Sequence, residues 1–143
     1  MIIEFIDLET YAEKYMSQCL EICAQIRHES KVNLWGEFTE GSHADYYVIA
    51  SIKNEVVGAV AMSECEELSF AEVEGVVVKP SFQGQKIYKS ILQHIEKNLR
   101  DKGIKSIQMF PLTEDSKLCH LRLGFFKGQD KLYKKIDEDI AVT

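Results

Sequence analysis

The order of apolar and polar positions divides the chain into alternating strand and helix segments. Met1 to Asp7 alternates weakly and reads as a first strand. Thr10 suits a helix cap, and Tyr11, Tyr15, Cys19, Ile22 and Ile26 recur along one face, so residues 10–28 are expected to be helical. His28 to Asp45 has no period and is expected to be a loop or a short second helix. Tyr46 to Ile52 and Val56 to Met62 read as strands joined by the polar turn Lys53-Asn54-Glu55. The acidic stretch Ser63 to Ser69 then leads into a long strand, Phe70 to Val78.

After that strand, Pro80 stops the β pattern and Ser81 to Gln85 is small and polar. Ile87, Ile91, Leu92, Ile95 and Leu99 then fall at helical spacing, which predicts a helix from Lys86 to Lys102 with Gly103 as its C-terminal glycine. Ile104 to Phe110 reads as a buried strand, and a βαβ crossover places it parallel to Phe70–Val78. Thr113 can start a short helix that ends at Gly124, and Lys131 to Ile136 is the last strand. Asp137 to Thr143 reads as a frayed acidic tail.

With 143 residues, 45% hydrophobic and 28% charged, the chain is expected to form one domain spanning residues 1–143. No segment approaches the roughly 18 apolar residues of a membrane span, so no membrane partner is expected and the location is read as cytoplasmic. Cys19, Cys23, Cys65 and Cys119 lack metal-site spacing and are read as reduced thiols, with no metal.

Charge is split along the chain. Residues 1–78 carry 15 acidic and 4 basic residues, net −11, and residues 79–143 carry 8 and 13, net +5. An acidic half suits a cationic amine and a basic half an anionic ligand. Nucleic acid is not expected for an acidic chain with no basic aromatic stripe.

The strand–loop–helix junction can hold a phosphate, because the first turn of a helix has unpaired amides and lies at the positive end of its dipole. In Gln83-Gly84-Gln85-Lys86-Ile87-Tyr88 the sequence resembles the phosphate loop of the GNAT superfamily of acetyl-CoA-dependent N-acetyltransferases. Lys86 and Tyr88 stand where that family usually has glycine. The order of strands and helices resembles the family over nearly the whole chain.

The resemblance implies an α/β fold with a mixed, twisted sheet of six or seven strands and helices on both faces. It also implies transfer of an acetyl group from acetyl-CoA to a small amine, a lysine or an N-terminal amine, and it admits a homodimer. Backbone groups of the run Val76, Val77 and Val78 would line the pantetheine arm, and amides of Gln83, Gly84, Gln85, Lys86, Ile87 and Tyr88 would hold the pyrophosphate.

Glu72 and Glu74, two apart on one strand face, suit a general base or an ammonium site. Glu72 also resembles the glutamate base of the histone acetyltransferase branch. His120 lies where many family members carry a tyrosine acid, and it can donate a proton in that tyrosine's place. If Lys86 needs a left-handed backbone, it costs about 1–2 kcal/mol. The Tyr88 ring either blocks the phosphate approach or turns outward. The rival expectation is a GNAT-like module that has lost catalysis and binds CoA or a protein partner.

Overall fold

Asp7 rather than Thr10 starts the first helical run. Its side chain accepts from the Thr10 amide at 2.7 Å, and contact with that backbone holds the Asp7 carboxyl below its ordinary value. The computed structural model describes residues 1–27, 36–40, 42–111, 113–128 and 131–136. Residues 28–35 and 41 of the irregular stretch expected at His28 to Asp45, and the tail at Asp137 to Thr143, lie outside these residues.

Strand β1 (Ile2–Ile6) leads into α1 (Leu8–Thr10), a π-helical turn (Tyr11–Tyr15) and α2 (Met16–Arg27). Strands β2 (Tyr46–Ile52), β3 (Glu55–Cys65) and β4 (Phe70–Val78) follow as an antiparallel meander. The β2–β3 turn is shorter than expected. Lys53 and Asn54 both take positive φ, +52° and +66°, the backbone of a two-residue hairpin, and Glu55 already belongs to β3.

Beyond β4 come a 3₁₀ turn (Pro80–Phe82), α3 (Ile87–Asp101), β5 (Ser106–Met109), α4 (Glu114–Arg122), β6 (Phe126–Lys127) and β7 (Leu132–Lys135). The seven strands form one mixed sheet in the order β1-β2-β3-β4-β5-β7-β6, in which β4 and β5 are the parallel pair. The sequence pattern did not predict β6, a two-residue strand paired with β7. Thr113 caps α4 as expected, its hydroxyl accepting from the Ser116 amide at 3.0 Å.

The sheet separates two apolar clusters. Ile91, Leu92, Ile95 and Leu99 of α3 pack with Ala71, Val73 and Ile107 on one face. Tyr11, Cys19, Ile22 and Cys23 pack with Tyr47, Ile49 and Val77 on the other, where burial pushes the Cys19 and Cys23 thiols up to about 12 and about 11. Gly58 on β3 sets how closely α3 approaches. A Cβ there would lie 2.9 Å from Ile87 Cγ2, so only glycine lets the first turn of α3 rest on the sheet.

Among the described residues, no helix is long and apolar enough to cross a membrane.

Candidate active site

The parallel pairing of β4 with β5 stops short. The register runs from Phe70 opposite Ser106 to Val73 opposite Met109, while β4 continues along β3 to Val78. From Glu74 to Val78, β4 therefore has no ladder partner on its β5 side. The Lys79 amide bonds the Val57 carbonyl on β3 at 2.8 Å, and backbone groups alternate sides along a strand, so Val76 and Val78 turn theirs to the open edge.

At the parting point β4 carries a bulge. Ala61 is opposite Gly75 and Met62 opposite Val73, which leaves Glu74 as the extra residue. Simple alternation does not hold through this position, yet Glu74 still meets Glu72. Burial and its contact with Glu72 raise the Glu74 carboxyl above its ordinary value, against a 2.7 Å hydrogen bond donated by the Ser63 hydroxyl. Glu72 accepts from Lys131 Nζ at 2.7 Å.

Glu37, which the sequence pattern did not single out, joins these carboxylates. Its carboxyl is raised by burial and by Glu72, and its Oε2 is buried with no hydrogen-bond partner among the described residues. Two tyrosines hold the 3₁₀ turn Gly36–Phe38 that carries it: Tyr11 donates to the Phe38 carbonyl at 2.7 Å and Tyr47 to the Glu37 carbonyl at 2.8 Å. Gly75 is the signal that was available in the sequence. A Cβ there would sit 2.8 Å from Glu37 Cβ, so the glycine lets the Glu37 turn lie against β4.

The loop that follows β4 ends in a strained residue. Gly84 has φ +83°, and Lys86, at the N-cap of α3, has φ +60°, a left-handed backbone that β-carbon crowding disfavours in all but glycine. The helix begins at Ile87, one residue later than expected. Ser90 is the first residue whose amide bonds back to Lys86, at 3.0 Å, so the Ile87, Tyr88 and Lys89 amides precede any helical partner.

Tyr88 turns inward, so the outward ring, one of the two alternatives expected for it, is not what forms. It is 8% exposed and meets His120, 3% exposed, across the gap between α3 and α4. The His120 Nδ1 lies 2.7 Å from the Ser116 carbonyl, which only accepts, so Nδ1 carries the proton. Nε2 is then the acceptor for the Tyr88 hydroxyl at 2.7 Å. Burial lowers the His120 pKa and raises that of Tyr88, so both are neutral at pH 7. The sequence brought the two into view separately, never as a pair.

The model of the Acetyltransferase (GNAT) family matches residues 8–125. The chain belongs to this family. GNAT structures similar to it include GCN5 of Tetrahymena, at 11% identity over 98% of this chain and 99% of that one, with a TM-score of 0.75. The ribosomal-protein-S18-alanine N-acetyltransferase of Escherichia coli is 11% identical over 95% of both chains, TM-score 0.66. The PaiA N-acetyltransferase of Thermoplasma acidophilum, solved in complex with coenzyme A, is 20% identical over 94% and 99%, TM-score 0.59. These likenesses bear out the GNAT fold, with its seven-stranded mixed sheet and helices. No protein of curated function is a significant match.

Proposed function

We propose that this GNAT chain moves an acetyl group from acetyl-CoA to a primary amine, with attack by the amine on the thioester and a glutamate taking the amine's proton. The observation that carries the reading is the open β4 edge from Glu74 to Val78, with a raised carboxylate at its start and unpaired helix amides beyond its end. A pantetheine arm supplies alternating amide groups that such an edge accepts, and a pyrophosphate suits the start of α3.

Val76, Val77 and Val78 would line the arm, the first and last through their backbone groups. Gln83, Gly84, Gln85, Lys86, Ile87 and Tyr88 would form the phosphate cradle, where Lys86 adds a cation. The cosubstrate supplies an activated acyl carbon; the protein binds, orients and handles protons. Glu74 suits the base because its raised carboxyl brings it closer to neutral pH than an ordinary glutamate. Glu72 suits the acceptor's ammonium, since it already pairs with one, and Glu37 adds negative charge to that wall. The acceptor is a small amine, a lysine or an N-terminal amine, and the place of action is the cytoplasm.

His120 is the proposed acid for the leaving thiolate, acting in its imidazolium form, whose Nε2–H would replace the proton that the Tyr88 hydroxyl bonded to it gives up. That same bond favours a second reading, a module that binds CoA without turnover. Both ring nitrogens of His120 are engaged within the protein, and a pair so occupied gives up its proton only when it rearranges. Calorimetry with acetyl-CoA, followed by thiol release over a panel of amines, tests both. Binding with turnover supports the enzyme and binding without turnover the module. Absence of binding removes both.

A further inference from the structure

We propose that Lys131 is a self-acetylation site of this chain, a proposal that rests on the acetyl-transfer reading above. The sheet register places it. Val73, Met109 and Leu132 form one row across β4, β5 and β7, and it is the last row in which β4 and β5 are paired. The next residues along the three strands' paths are Glu74, Phe110 and Lys131. Lys131 therefore stands at the mouth of the split, level with the bulge that carries the raised carboxylate.

Its ammonium is held there by the groups that would recognise an acceptor. Lys131 Nζ donates to Glu72 at 2.7 Å and lies 5.3 Å from the centre of the Phe110 ring. A carboxylate with an aromatic face is a recognition set for an alkylammonium. The chain thus presents its own primary amine in the place proposed for a substrate's.

In the step, Lys131 Nζ gives up a proton to the Glu74 carboxylate and its lone pair forms an N–C bond to the acyl carbon of the thioester. The C–S bond breaks, and the leaving thiolate takes the second proton that the attacking nitrogen loses as the amide forms. The product is a neutral amide, so the ion pair to Glu72 is lost and that carboxylate is released to an incoming ammonium. The reaction within one molecule benefits from the high effective concentration of a tethered amine.

Incubating the full chain with acetyl-CoA and mapping peptides by mass spectrometry tests this. Lys131 is expected to be acetylated at least about tenfold faster than the exposed Lys97, with a rate independent of protein concentration. Glu74→Gln is expected to slow Lys131 at least about tenfold and leave Lys97 unchanged. The proposal is overturned if a protein that binds acetyl-CoA by calorimetry modifies Lys131 no faster than Lys97, or only at a rate that rises with protein concentration. If acetyl-CoA does not bind, the acetyl-transfer reading fails first and the proposal falls with it.

Discussion

The Tyr88 hydroxyl donates to His120 Nε2 at 2.7 Å, and this bond ties the first turn of α3, two residues after the left-handed Lys86, to α4. Removing either partner strands the other in the interior. His120→Phe or Tyr88→Phe is expected to cost about 1–3 kcal/mol, whereas the double change costs less than the sum, because neither polar atom is then left unsatisfied. Urea midpoints of the four proteins measure the coupling.

The same histidine makes stability fall in acid. Burial depresses its folded-state pKa below 6.5, so the unfolded chain binds a proton that the folded one resists. Its contribution is complete above about 6.5 and is lost as pH drops through the folded value. Midpoints at pH 8 and pH 5 are expected to differ less in His120→Phe than in the unaltered protein.

Glu74 works in the opposite sense. Its folded pKa is raised, so the ionised form is disfavoured by the fold, and stability declines as pH rises through the folded value. Glu74→Gln is expected to raise the midpoint at pH 7 and to give no gain near pH 4. On the proposed mechanism it also lowers turnover by roughly 10²-fold or more, and the acid limb of the rate profile disappears.

Lys86 offers a test of strain against binding. Glycine relieves the left-handed backbone but makes the unfolded chain more flexible, so Lys86→Gly is expected to change stability by less than about 1 kcal/mol. If the lysine meets a phosphate, affinity for CoA drops with little change in midpoint. Calorimetry and melting of one variant separate the two terms.

Gly75→Ala is expected to displace the Glu37 turn, since the new Cβ falls 2.8 Å from Glu37 Cβ. A cost of about 1–3 kcal/mol follows from such overpacking. The shift is read from the denaturation midpoint.

The legible parts of the fold were those with a long period. α3 declared itself through five apolar residues on one face, and the crossover from β4 to β5 followed from the strand–helix–strand order. The bulge at Glu74 was hidden, because an apolar run of three valines masks the one-residue break in alternation. β6 has two residues and no period at all. In the site, Glu72, Glu74 and His120 were visible as chemistry, but their partners were not. Lys131 is 59 residues from Glu72, and Tyr88 is 32 from His120. No local pattern reports such distances; only the assembled sheet and the meeting of α3 with α4 at Tyr88 and His120 bring them together.

The parted strands have a consequence for selection. An inner edge five residues long, at about 3.3 Å per residue, measures roughly 16 Å. On the proposed function, it gauges its occupant by length and by the spacing of amides about two residues apart. A nucleotide without an arm has nothing to offer such a gauge, however well its phosphates suit α3. On the proposed function, a pantetheine fragment lacking the nucleotide should protect the chain against unfolding more than a nucleotide lacking the arm.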